Sequence, residues 1–350
     1  MSYLNNDTRK GSALLASFLL GVVLLFLAGC GDAPRDTTHL SGATMGTTYN
    51  ISLVAVLTPT QEQELQGAVD KQLRLINQSM STYIEDSELS TLNRSAPGSW
   101  QTISNDLFQV LVLSQDVTKL SQGGFDITVG PLVNRWGFGP DFSITQIPTE
   151  QEINELRQSV GAQHVLLQTD TRQVKRAKPV YIDLSAVAKG YGVDKLAELL
   201  LEKGYNDFLV EIGGEIRVSG TNKHAKPWRI GIETPVASLE KLVQKAVSLS
   251  NTSIATSGDY RNFFELEGQR YSHTIDPRTG YPVQHNLVSV TVLDPLCARA
   301  DALATAFNVM GYEKALLLAN SHKIPAFFII HTESGFKEFS SDAFKAEVPL

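Results

Sequence analysis

The sequence predicts a single mixed α+β domain of about 320 residues behind a short export leader. Three observations carry this expectation. Helix-type and strand-type apolar spacings are interspersed along the chain, without the strict strand–helix–strand rhythm of a doubly wound parallel sheet. The composition, 42% hydrophobic and 19% charged, is that of an ordinary globular protein and excludes a disordered chain. Of the two cysteines, Cys30 closes the leader, so Cys297 stands alone and the domain must be held by its core rather than by an internal disulfide.

The leader is read first because it must be set aside. Arg9 and Lys10 precede an uncharged apolar run from about residue 12 to 28, the layout of a secretory signal. That run is shorter than the roughly 20 residues of a comfortable membrane span, which disfavours an uncleaved anchor. It ends in Leu27-Ala28-Gly29-Cys30, which resembles the lipobox of bacterial lipoproteins and implies an acylated Cys30 as the first mature residue. Acyl chains hold a protein to a bilayer by about 0.8 kcal/mol per buried methylene. The expected organisation is therefore a signal peptide over 1–29, a polar tether over 30–40 and one domain over 41–345.

Within the domain, residues 49–57 alternate as a strand does. Residues 61–76 place Leu65, Val69, Leu73 and Ile76 on one helical face. A second helix is expected at 105–121, a loop at 141–148, and a helix at 149–159 with Thr149 as its cap. Strands are expected at 164–168 and 180–183, then a helix over 186–203 closed by Gly204. Strand-like runs follow at 207–218, 228–233, 246–257, 269–274 and 287–293. Helices at 299–310 and 313–319 and strands at 326–331 and 336–340 complete the chain. No internal repeat or low-complexity tract interrupts this order.

The formal charge of −7 argues against a nucleic-acid partner, which calls for a basic stripe. Chemistry is concentrated in three clusters. In Asp301-Ala302-Leu303-Ala304-Thr305 a carboxylate and a hydroxyl four residues apart share a helical face and offer hard oxygen ligands. The spacing alone equally suits an acid in a helix's first turn and a threonine bonded back to the backbone. In Asp183-Leu184-Ser185-Ala186-Val187-Ala188-Lys189-Gly190-Tyr191-Gly192 a strand-to-helix turn beside a lysine suits an anion, or is simply a tight turn. In Ser272-His273-Thr274-Ile275-Asp276-Pro277-Arg278-Thr279-Gly280 a histidine suited to proton transfer, or simply a structural one, sits beside a turn that accounts for Asp276 and Pro277 on its own. Glycine- and aromatic-rich segments at 45–49, 80–83, 123–131 and 211–215 are individually turns or packing sites, and together suit a planar heteroaromatic ligand.

Taken together, these segments resemble the ApbE family of FAD:protein FMN transferases from about residue 41 to 339. The resemblance rests on Met45-Gly46-Thr47-Thr48-Tyr49, Met80-Ser81-Thr82-Tyr83, Phe125-Asp126-Ile127-Thr128-Val129-Gly130-Pro131, the run from Asp183 to Gly190, Gly213-Gly214, the run from Ser272 to Gly280, and the run from Asp301 to Thr305. It implies one ApbE-type domain with an FAD cleft, in which Met45, Tyr83, Gly124, Phe125, Asp126, Asp183, Lys189 and Ile275 contact FAD. It implies Mg²⁺ held by Asp301, Thr305 and the main-chain carbonyl of Ala186, with His273 near the reacting phosphate. FAD is then a substrate, and the acceptors are flavoprotein subunits of membrane redox complexes or exported reductases. The lipid anchor implies an enzyme of the bacterial cell envelope on a periplasmic face, with the inner membrane expected over the outer. An FAD pyrophosphatase that gives FMN and AMP would use the same contacts, whereas a flavin-binding lipoprotein without catalysis would need neither the carboxylate–hydroxyl pair nor His273.

Overall fold

The computed structural model describes residues 34–139, 146–235, 243–258, 263–266 and 268–348. The leader, Cys30 and positions 141–145 of the expected 141–148 loop lie outside the described residues.

The domain is built on an eight-stranded sheet in the order β1-β2-β6-β7-β10-β13-β14-β15. These strands are β1 (Thr38–Thr44), β2 (Thr47–Leu53), β6 (Phe208–Ile212), β7 (Glu215–Ser219), β10 (Thr252–Gly258), β13 (Leu287–Asp294), β14 (Ala326–Thr332) and β15 (Gly335–Ser340). Every neighbouring pair is antiparallel. Smaller sheets join β3 (Gln101–Thr102), β5 (Gln173–Arg176) and β4 (Val165–Gln168), pair β8 (Trp228–Glu233) with β9 (Val243–Leu249), and pair β11 (Phe263–Leu266) with β12 (Gln269–Ser272).

Nine helices accompany the sheets among the described residues: α1 (Pro59–Met80), α2 (Glu88–Arg94), α3 (Asn105–Leu120), α4 (Gly130–Arg135), α5 (Glu150–Arg157), α6 (Ala188–Glu202), α7 (Cys297–Met310), α8 (Tyr312–Ser321) and α9 (Asp342–Glu347). The local chemistry accounts for several ends. Thr58 and Thr149 each close a capping box, with Gln61 and Glu152, at the starts of α1 and α5. Gly204, at φ +85°, ends the segment after α6. In α7 nearly every residue is buried, Ala298, Ala302, Leu303, Ala306 and Phe307 among them, so this helix is the axis of the largest apolar cluster.

Several expected elements differ in extent. The expected 30–40 tether gives way to β1 at Thr38, and the strand expected at 49–57 begins earlier and ends at Leu53, because β1 and β2 form a hairpin in register from Thr38↔Leu53 to Thr44↔Thr47. The run at 207–218 is broken at Gly213 and Gly214, both at positive φ, which fold it into the β6–β7 hairpin. The run at 246–257 divides around Asn251, at φ +53°, so that β9 pairs with β8 while β10 enters the large sheet. Residues 180–183 form no strand. The Asn93 side chain brackets Ile182, accepting from its N–H and donating to its carbonyl, and the Asp183 N–H goes to the Ile127 carbonyl, so no neighbouring strand is needed. The short elements α2, α4, α9, β3, β5 and β11 were not expected at all.

Tyr49 shows how firmly the first hairpin is seated. It is fully buried, donates to Asp70 Oδ1 at 2.5 Å and is bonded by Gln66. Burial, reinforced by Asp70, pushes its pKa up from 10.0 to about 12. Tyr49→Phe is expected to lower stability by about 2 kcal/mol at neutral pH, read as a shifted urea midpoint. The neutral phenol is the native form, so its contribution is complete below pH 10 and disappears as pH rises towards about 12. The gap between wild type and Tyr49→Phe should therefore narrow across that window.

Candidate active site

One end of the large sheet gathers the expected residues. The β6–β7 turn, the end of β10, the start of α6 and the middle of α7 surround a cleft of about 450 Å³, within the range of small-molecule sites. Tyr83, Gly124, Phe125, Asp126, Asp183, Ala186, Lys189, His273, Ile275, Asp301 and Thr305 all line it. Met45 lines a neighbouring lobe of about 660 Å³ instead, and Thr82, Tyr83, Ser185 and Lys189 stand on the wall that the two lobes share. The first cleft is also walled by Phe138, whose ring meets His273 edge-on at 6.2 Å.

The loop residues are held by bonds within the protein. Asp126 Oδ1 accepts from the N–H and hydroxyl of Thr128, and Oδ2 accepts from the Ala162 N–H. Its carboxylate thus shapes the 123–131 segment that carries Gly124 and Phe125. Asp183 Oδ1 accepts from the N–H and hydroxyl of Ser185, fixing the turn that leads into α6.

The charged centre lies where α6 meets α7. Lys189 Nζ is 3.3 Å from Glu215 Oε1 and 3.9 Å from Asp301 Oδ2, with both carboxylates buried. Burial alone would lower the lysine's pKa, but Asp301 and Glu215 outweigh it and hold the ammonium above its ordinary value. Burial pushes the Asp301 carboxyl up, against the opposing pull of Lys189 and the Gly190 N–H. Burial also raises Glu215, with Lys189 opposing and Asp301 adding to the rise.

Two acids share one ammonium here, and the oxygens around them are under-used. Glu215 Oε2 is buried with no hydrogen-bond partner. The Gly190 N–H, one of the first-turn donors of α6 that have no partner within the helix, donates to Asp301 Oδ2 at 3.1 Å, and the Ala186 carbonyl lies just before that turn. Thr305 lies one turn beyond Asp301 on the same face of α7. A carboxylate, a hydroxyl and a main-chain carbonyl are the donor set of a hard divalent cation, so these residues fit such an ion. Among the described residues no group of three or more His, Cys, Asp or Glu forms a self-sufficient cage. That suits a cation completed by water and substrate phosphates.

Two contributors lay outside the residues expected from sequence. Glu215 sits in the Gly213-Gly214-Glu215 segment, whose glycines drew attention and whose acid did not. Asp194 could be found only in three dimensions. Helix α7 has no side-chain cap of its own at Leu296, and Asp194, from α6, accepts from the Cys297 and Ala298 N–H groups at 2.9 Å each while paired with Arg217 at 2.6 Å. Gly190 completes the junction, since a Cβ there would lie 2.5 Å from the Cys297 carbonyl oxygen.

Known proteins resemble this chain in sequence and in fold. The family model described as the ApbE family matches residues 45–328. The FAD:protein FMN transferase of Vibrio cholerae serotype O1 is 44% identical over 322 residues, covering 92% of this chain and 96% of that protein. That of Haemophilus influenzae is 40% identical, covering 95% and 97%. The solved flavin transferase ApbE from Vibrio cholerae superposes with a TM-score of 0.83 at 42% identity, over 90% of this chain and all of that one. The apo flavinyl transferase ApbE of Pseudomonas stutzeri gives 0.82 at 35% identity, over 91% and 98%.

Asp194→Ala should lower stability by about 3 kcal/mol, because it uncaps α7 and leaves Arg217 without its buried partner. Gly190→Ala should cost a similar amount, since its contact is with backbone that cannot move aside. Chemical denaturation of the two variants checks both values, and a loss below about 1 kcal/mol in either would show that the junction is looser than this geometry.

Proposed function

The chain belongs to the ApbE family, and from that premise we propose that it is an FAD:protein FMN transferase dependent on magnesium. The observation that carries this reading is the placement of Lys189 on the wall between two lobes, with Asp301 beside it and His273 lining the same cleft. A dinucleotide has two ends joined by a pyrophosphate. Two joined lobes accommodate the ends, and the ammonium between them suits the charged link.

In the proposed reaction a serine or threonine hydroxyl of the acceptor protein attacks the FMN phosphorus of FAD. The new oxygen–phosphorus bond forms as the bond to AMP breaks. His273 takes the hydroxyl proton, for which its imidazole is suited near neutral pH. Lys189 offsets negative charge on the pyrophosphate as AMP departs. Asp301, Thr305 and the Ala186 carbonyl would hold magnesium, which when bound withdraws charge from phosphate oxygens. Glu215, 3.3 Å from the Lys189 ammonium, helps to orient it. Phe125 and Ile275 contribute apolar surface for flavin, with Gly124 needed small because a Cβ there would come within 3.0 Å of Met310.

The same proposal extends to location. The leader layout and the Leu27-Ala28-Gly29-Cys30 sequence support a lipid on Cys30 and a place at the periplasmic face of the inner membrane. No described helix is long and apolar enough to cross a membrane. Acceptors there would be flavin-carrying subunits of membrane redox complexes or exported reductases.

Mass spectrometry of an acceptor domain incubated with leaderless enzyme, FAD and Mg²⁺ tests the activity. The expected result is a gain of one FMN with release of AMP. Asp301→Ala should slow it on the order of a hundredfold or more, and His273→Ala should slow it comparably while FAD still binds. Free FMN with an unmodified acceptor would identify a pyrophosphatase, and intact FAD would identify a carrier.

A further inference from the structure

The chain enters the fold at the end of the sheet opposite the cleft. At that far end lie Thr38, Leu53, Phe208 and Ser219, aligned across β1, β2, β6 and β7. At the other end lie Thr44, Thr47, Ile212 and Glu215, followed by the Met45–Gly46 and Gly213–Gly214 turns, which line the two lobes. Strand β1 runs from the first end to the second over seven residues, or roughly 20 Å.

Arg35 fastens the incoming chain to that far end. Its guanidinium bonds Asp207 Oδ2 at 2.6 Å, Thr221 Oγ1 at 2.7 Å and the Asn222 carbonyl at 2.6 Å, while its own N–H donates to the Lys223 carbonyl at 2.8 Å. The loop it grips is itself braced. Asn222 accepts from the His224 N–H at 2.9 Å and donates to the Pro227 carbonyl at 2.8 Å, and its N–H donates to the Lys226 carbonyl. Beside this clamp Lys223, His224 and Lys226 are exposed, with Asp36 the exposed acid next to them.

Between Cys30 and Arg35 lie only five residue steps, a reach of at most about 18 Å. We propose that the Arg35 end of the sheet, with Lys223 and Lys226, rests against an anionic bilayer surface, so that the cleft opens away from the membrane. This rests on the lipid anchor at Cys30. A free tether of this length would let the body roll, whereas the clamp fixes its first point of attachment, and the exposed Lys223 and Lys226, opposed only in part by Asp36, favour anionic headgroups. The consequence concerns the partner. The hydroxyl to be modified must be presented more than roughly 20 Å above the bilayer, by a domain projecting into the aqueous phase or by a soluble protein.

The test uses the full lipidated chain, purified from membranes and placed on vesicles containing phosphatidylglycerol and a nitroxide-labelled lipid. A fluorophore is attached in turn at Lys223→Cys and Thr48→Cys; native Cys297 is buried. The expected result is quenching severalfold stronger at position 223 than at 48, with the difference reduced in Arg35→Ala or when flexible residues are inserted after Cys30. Equal quenching at both positions, or stronger quenching at 48, in a protein whose mass shows acyl chains on Cys30 would overturn the orientation while leaving the anchor intact. Absence of acyl mass on Cys30 would overturn the anchor and the orientation with it.

Discussion

Everything at the cleft depends on one buried junction, where the start of α6 crosses the middle of α7 and an ammonium is shared by two acids. Charged groups out of water are costly unless paired, and here Lys189 alone balances Asp301 and Glu215. Such a centre is stable only if the helices are held in register. Gly190 lets them touch, its N–H reaches Asp301, and Asp194 ties the first turn of α7 to α6 from the other side. On the proposed reading, the incompletely balanced charge is what a divalent cation and a polyphosphate together would complete.

The sheet explains why the remaining groups converge. Antiparallel strands place alternate turns at the same end, so the β1–β2 and β6–β7 hairpins and the end of β10 meet above α7 although they are far apart in sequence. Polar residues there are fixed largely by short-range bonds, as in Asp126 with Thr128 and Asp183 with Ser185. The loops that wall the cleft are thereby preorganised by their own hydrogen bonding.

Much of this was legible from residue patterns, and the exceptions have physical causes. Long amphipathic helices such as α1 and α3 were readable because one face repeats and a cap marks the start. The segment at 180–183 looked like a strand because Val180 and Ile182 alternate, yet a single side chain, Asn93, supplies its backbone partners, which no periodicity reveals. The run at 207–218 concealed a hairpin and the run at 246–257 a change of sheet, because glycine and asparagine take left-handed turns without interrupting the apolar pattern. Individually Asp301, Lys189 and His273 had plain structural alternatives; their order along the chain pointed to a family, and the fold brings them to one cleft. Glu215 and Asp194 went unassigned because their roles exist only through residues distant in sequence, Lys189 in one case and the end of α7 in the other.

The central claim is that the Asp301 region is a cation site completed by the substrate's phosphates. Titration of Mn²⁺ followed by its free-ion electron paramagnetic resonance signal, with FAD present, tests it most directly in wild type and Asp301→Asn. The account predicts that wild type with FAD removes the free signal at far lower Mn²⁺ than FAD alone, and that Asp301→Asn abolishes this gain while remaining folded. Equal Mn²⁺ uptake by a folded Asp301→Asn protein would contradict it.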